Sequence, residues 1–159
     1  FLLAGRYTLI DQTSLDKLMP ICEDNRISLV LGGVFNSGIL IEPSPDTYFD
    51  YCKLDSDWVQ NVTDSLVRIP KTHESANYWL DKAYKLKSAC DQFNLPLKHA
   101  AIQFPYSNKI VSSCLLGMTS INQVNENFDL YNKKISIEFW KYLKKNNLIN
   151  KEVPFINKS

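Results

Sequence analysis

The chain has 159 residues, 45% of them apolar, enough for one domain with a sizeable core. Its 18 basic and 17 acidic residues leave a net charge of +1, which removes the electrostatic case for a nucleic-acid or membrane-surface partner. No apolar run reaches the ~18 residues that a membrane span requires.

In chain order, Leu2 to Ile10 reads as an apolar strand, with Arg6 and Tyr7 toward its far end. The opening Phe1-Leu2-Leu3-Ala4 begins inside that strand without a Met, so the expectation is a chain truncated at its N-terminus. Asp11-Gln12-Thr13-Ser14 are turn and cap residues, after which Leu15, Leu18, Met19 and Cys22 fall at helical spacing. Pro20 lies inside that helix and implies a kink or a late start, and Asn25 is the candidate left-handed cap. Ile27 to Leu31 is a continuous apolar run of the kind buried in a parallel sheet.

From Glu42 to Thr72 the periodicity weakens, with Pro43, Pro45 and Pro70 among the aromatics Tyr48, Phe49, Tyr51 and Trp58. Short helices or an insertion folded over a binding face are expected there, since aromatics favour order. Ala76 to Phe93 is an amphipathic helix, with Trp79 or Leu80, Ala83, Leu86, Cys90 and Phe93 turned inward. A short helix follows near Leu97 to Tyr106, then a strand from Ile110 to Leu116. Ser120-Ile121-Asn122-Gln123 reads as a capping box opening a helix to Tyr131. The last helix, Ile135 to Lys145, buries Ile135, Phe139 and either Tyr142 or Leu143. Lys133, Lys134, Lys141, Lys144, Lys145 and Lys151 then line a solvated face.

Cys22, Cys52, Cys90 and Cys114 form no CxxC pair, and His73 and His99 lie near no pair of cysteines, so no metal site is expected. Buried reduced thiols and a cytoplasmic location follow. The sequon Asn61-Val62-Thr63 carries little weight without a secretory signal. Both histidines are read as structural.

Three strand–helix units without an internal repeat describe a parallel α/β fold. Three parallel strands leave two raw edges, so the piece reads as the end of a larger barrel or sheet. Two strand ends carry the functional signal. Leu29-Val30-Leu31 breaks into Gly32-Gly33-Val34-Phe35-Asn36-Ser37-Gly38, and Val111 to Leu116 breaks into Gly117-Met118-Thr119-Ser120. A glycine at a strand end admits a phosphate to bare backbone, and the helix that follows offers free N–H groups. Neither matches the Rossmann or P-loop spacing.

The segment from Leu3-Ala4-Gly5-Arg6-Tyr7 to Asp11-Gln12, together with Gly32-Gly33-Val34-Phe35-Asn36-Ser37-Gly38-Ile39-Leu40, resembles the carboxy-terminal half of aldo/keto reductases, nearest their branch of sugar and pyridoxal dehydrogenases. Those enzymes are (β/α)8 TIM barrels of ~250 residues or more. The resemblance spans nearly the whole chain, residues 1–159, as strands six to eight with their helices. It implies an NAD(P)-dependent oxidoreductase that oxidises an aldose or reduces a small aldehyde or ketone by hydride transfer. It assigns Gly33, Phe35, Asn36, Ser37 and Gly38 to the coenzyme pyrophosphate, and Gly117, Met118, Thr119, Gln123 and Asn127 to its adenosine end. Tyr7 falls at the substrate mouth that bears the nicotinamide, and Arg6 is read, from its place at a strand end, either as reaching a substrate hydroxyl there or as pairing with an acid such as Asp11. Met118 and Thr119 stand where NADP-preferring members often carry Lys or Arg, which puts NAD on an equal footing with NADP. Ala4 stands where a carboxamide-binding glutamine is common. The family's catalytic Asp, Tyr, Lys and His belong to earlier strands, so this chain is expected to hold no catalytic residue. A small-molecule sugar or aldehyde is the expected partner. The alternative is a non-catalytic nicotinamide-nucleotide-binding subunit on the same fold.

Overall fold

The computed structural model describes residues 1–44 and 74–154. Strands β1 (Leu2–Ala4), β2 (Leu29–Gly32) and β3 (Val111–Leu115) pair in parallel in the order β1-β2-β3. Helix α1 (Leu18–Asp24) joins the first two strands. Helices α2 (Glu74–Gln92) and α3 (Leu97–Gln103) lie between the second and third, and α4 (Ile121–Asn132) and α5 (Ile137–Lys145) follow β3. Sequential parallel order is what βα units produce. The aromatic stretch from Tyr48 to Trp58, Cys52, the sequon at Asn61, Pro70 and His73 lie outside the described residues.

The pairing lines up Leu2, Val30 and Ser113 on one face, and Leu3, Leu31 and Cys114 on the other. Leu3, Leu29 and Leu31 are buried in one cluster with Met19 and Cys22 of α1, Ala83, Leu86 and Cys90 of α2, and Phe139 and Leu143 of α5. Leu2 and Leu115, on the opposite face, stay exposed. Among the described residues the sheet therefore has one covered face and one open face.

The first strand is shorter than its apolar run predicts. Gly5 adopts φ 65° and turns the chain aside, while its N–H still reaches Gly32 O at 3.0 Å. Leu9 and Ile10 are buried nonetheless, as loop residues. The Gln12 amide donates to Thr8 O and Leu9 O, and Thr8 N–H donates to Asp11 O, so side-chain and turn bonds satisfy backbone that a strand partner would otherwise serve.

Pro20 is the third residue of α1, inside the first turn, where its missing N–H costs nothing. The left-handed residue closing α1 is Arg26 (φ 57°), one place beyond the expected Asn25 (φ −93°). Ile27 N–H reaches Cys22 O and Arg26 N–H reaches Glu23 O, the paired bonds of a Schellman turn. Asn25 uses its side chain instead, donating to Ile21 O at 2.8 Å. In α5, Ser136 caps the start by accepting from Glu138 N, so the helix opens two residues after the expected Ile135. Trp140, which the sequence pattern did not single out, is buried beside Phe139.

His99 is buried with Nε2 2.8 Å from Lys133 O, which fits a structural role. Cys22 and Cys90 are buried free thiols and Cys114 is half-buried. Burial pushes the Cys90 thiol up to about 12, the behaviour of an inert core cysteine. Lys141 pairs with Glu138 at 2.8 Å and Lys144 donates to Lys151 O, in keeping with a solvated lysine face. Among the described residues no helix is long and apolar enough to cross a membrane, and no cluster of metal-ligating side chains occurs.

Candidate functional site

Register decides where the loops meet. Ala4, Gly32 and Leu115 are paired across the sheet, so the segments after β1, β2 and β3 leave one edge side by side, the carboxyl ends of parallel strands. The loops after β1 and β2 touch. A Cβ built on Gly33 would stand 3.6 Å from Gly5 N, and one on Gly5 would stand 3.7 Å from Asn36 Nδ2. Gly33 also holds φ 65°, the left-handed region in which a side chain is strained. The Asn36 side chain donates to Gly5 O at 3.4 Å, joining the two loops directly.

The β2 loop then winds into a 3-10 turn over Asn36–Gly38. Phe35 sits at φ −92°, ψ −1°, and Asn36, Ser37 and Gly38 follow at φ 47°, 56° and 100°. A right-handed residue followed by a left-handed one turns successive N–H groups toward a common concavity that suits an anion. Asn36 and Ser37 adopt this geometry without being glycines, a strain that surrounding structure must hold in place. Asn36 N–H donates to Gly33 O at 2.9 Å and Leu40 N–H to Phe35 O at 3.2 Å, bonds that fix the turn.

The β3 loop is built differently. Gly117 is exposed, and a Cβ there would meet nothing within 4 Å. Ser120 caps α4 by accepting from Gln123 N–H at 3.2 Å. Gln123 does not return to the cap residue as the expected box would have it. Its Oε1 accepts from Thr119 N–H at 2.8 Å and from the Thr119 hydroxyl at 3.3 Å. Met118 and Thr119 are exposed. Asn127, one turn further along, is buried, and its Oδ1 finds no hydrogen-bond partner among the described residues. Such an orphaned acceptor is costly unless something supplies a donor.

The β1 loop carries the two mouth residues. Arg6 Nη1 pairs with Asp11 Oδ2 at 3.0 Å, its side chain 29% exposed against 2% for Asp11. The other Asp11 oxygen accepts from Thr13 N–H and the Thr13 hydroxyl. Lys82 of α2 donates to Ile10 O at 2.7 Å; burial holds its pKa below the usual lysine range, with Asp11 opposing. Tyr7 turns inward. Its hydroxyl lies 2.6 Å from Ser107 Oγ and its ring 5.2 Å from that of Phe104, so its side chain does not face the open edge.

A model of the aldo/keto reductase family matches residues 2–147, a span that contains all three loops. The chain belongs to that family. Among curated relatives it is 33% identical over 150 residues to the pyridoxal 4-dehydrogenase of Microbacterium luteolum, covering 94% of this chain and 38% of that protein. It is 32% identical over 150 residues to the D-threo-aldose 1-dehydrogenase of a Pseudomonas species, covering 93% of this chain and 39% of that one. The chain thus spans under two-fifths of the length of either relative.

For an aldo/keto reductase chain, the titrating groups near this edge are informative. Burial pushes the Tyr7 hydroxyl up to about 12, against a small opposing pull from Ser107. Burial also raises Tyr106, whose neighbour is Cys114. Neither phenol is poised to exchange protons near neutral pH. One contributor was missed in the sequence reading, Gly5. Gly5 had a visible signal, since it ends an apolar triplet as Gly32 does. Asp11 is the acid that the sequence offers Arg6, and the two are paired at 3.0 Å.

Proposed function

We propose that this chain is the coenzyme-holding, carboxy-terminal part of an NAD(P)-dependent aldo/keto reductase barrel whose whole form oxidises an aldose or reduces a small aldehyde. The observation that carries the reading is the right-handed/left-handed turn at Phe35–Asn36. It stands at the carboxyl end of β2, beside a β3 loop with room at Gly117. The site fits a dinucleotide on its own terms. The Asn36 and Gly38 amides are committed to Gly33 O and Phe35 O, so the Ser37 amide and hydroxyl would meet the diphosphate. Gly117, Met118, Thr119 and Gln123 would flank the adenosine end, and the Asn127 oxygen would gain the donor it lacks.

Arg6, held by Asp11, would orient a hydroxyl of the substrate. Tyr7 supports that loop from behind through Ser107. When bound, the nicotinamide supplies the hydride acceptor or donor. The general acid–base group would come from the family's earlier strands; of the described tyrosines, Tyr7 and Tyr106 are shifted away from that role by burial. Residues 116–120 carry no Lys or Arg, and Lys98 is paired with Glu126 at 2.7 Å, which favours NAD over a coenzyme with a 2′-phosphate.

Titration of the purified chain with NADH and NADPH, followed by coenzyme fluorescence, tests the reading. Saturable binding of NADH at least as tight as NADPH is expected, together with no turnover of D-threo-aldoses or pyridoxal. An absence of saturable binding would sink it, and turnover by the chain alone would refute the placement of the acid–base group.

A further inference from the structure

A cavity of about 380 Å³ opens between three segments: the loop after β1, the start of α2 and the tail beyond α5. None of its walls belongs to the loops after β2 and β3. The tail wall is fixed, because Asn150 N–H donates to Gln12 and Ile149 is buried. Lys82 of α2 lines this space. Its Nζ donates to Ile10 O and stands 5.9 Å from the centre of the Trp79 ring. A neutral amine in that place keeps an N–H for Ile10 O and gains a lone pair. The charged groups around it are Asp11 and Asp16 from the β1 loop, Lys151 from the tail, and Asp81 and Lys85 of α2 from an adjoining cavity. Asp11 favours the ammonium form, yet its carboxylate is already paired with Arg6. Burial prevails, and lowers the pKa of Lys82. A desolvated lysine is the kind of amine that adds to carbonyl compounds.

We propose that this cavity is a covalent carbonyl site, in which Lys82 Nζ condenses with a small hydroxyaldehyde. Nζ sheds one proton to solvent, and its lone pair adds to the aldehyde carbon. A second N–H proton passes to the former carbonyl oxygen, giving a carbinolamine. That oxygen takes up a proton from solvent and leaves as water. A C–N bond has formed, the C–O bond has broken, and nothing is oxidised or reduced. Ammonium and aldehyde have become a protonated imine and water, so the charge is unchanged and one N–H remains for Ile10 O. Asp16, Asn147 and Asn150 line the same space and suit the hydroxyl of such a molecule better than a hydrocarbon chain. No nicotinamide takes part, so the inference stands apart from the coenzyme reading.

The test treats the 159-residue chain with glycolaldehyde and cyanoborohydride at neutral pH, without nucleotide. The reductant converts any imine to a stable secondary amine, which peptide mass mapping locates. Lys82 should carry the adduct in about fivefold preference to any exposed lysine. Unfolding the chain in guanidinium chloride should abolish that preference. Lys82→Arg should remove the principal adduct, whereas Lys85→Arg, at an exposed position on the same helix, should leave it in place. Label spread evenly over the lysines of the unaltered chain would overturn the proposal, whether or not Lys82→Arg folds. So would a preference that survives unfolding, or one lost in Lys85→Arg. An adduct at Lys82 in a chain that binds no NADH would leave this site standing and refute the coenzyme reading alone.

Discussion

The loops after β2 and β3 leave paired residues of one sheet edge, yet they are stabilised in opposite ways. The β2 loop is folded onto its neighbour: Asn36 is buried, reaches Gly5 O, and tolerates a left-handed backbone. The β3 loop is exposed from Gly117 to Ser120 and, among the described residues, is tied down by the Thr119–Gln123 contacts and the α4 cap. A preformed loop binds with little ordering cost, whereas a loose one must be fixed by what it binds. On the proposed function, the β2 loop supplies a ready diphosphate cradle and the β3 loop closes over the adenosine end.

Four perturbations would break or sharpen that contrast. Leu31→Ala removes a fully packed β2 side chain from beneath both loops and should cost about 2–5 kcal/mol in urea unfolding, disabling the two together. Burial pushes the Tyr7 phenol up to about 12 in the folded chain, from 10.0 for the free group. Below pH 10 its contribution is therefore complete, and it is lost as pH rises toward 12. That amounts to about 2–3 kcal/mol, read as a steeper alkaline loss of stability than in Tyr7→Phe. Gly33→Val forces a branched side chain into the left-handed region beside Gly5 and should cost about 1–3 kcal/mol, with loss of NADH binding. Gly117→Ala enters open space, so unfolding should shift by less than about 0.5 kcal/mol. NADH affinity should nonetheless fall several-fold. Equal losses of stability and affinity at Gly117 would erase the distinction between the loops.

The contrast also marks what was legible in advance. Parallel α/β order, the helix faces of Ala83, Leu86 and Cys90, and the cap at Ser120 follow from periodicity and capping chemistry, which are local. The length of β1 was not local. Leu9 and Ile10 look like strand residues, but their burial is arranged by Gln12 and by the turn at Gly5. The same limit displaced the left-handed cap from Asn25 to Arg26, because hydrogen-bond closure to Cys22 and Glu23 outweighs residue preference there. At the candidate site, both glycine-bearing loops were read from the sequence. That Asn36 and Ser37 would share the left-handed conformation could not be, since neither residue type demands it. Nor could the outward face of α4, where Ile121 and Phe128 are exposed, be foreseen, because an amphipathic pattern shows that a stripe exists without showing which way it turns.

Gln12 joins the first loop to the last described segment. While its amide N–H groups secure Thr8 O and Leu9 O, its Oε1 accepts the Asn150 N–H at 3.1 Å, across 138 positions of sequence. One side chain thus latches the tail beyond α5 against the residues that present Arg6. Tension on the segment around Asn150 would therefore pass through Gln12 to the loop in which Asp11 holds the half-buried Arg6 guanidinium.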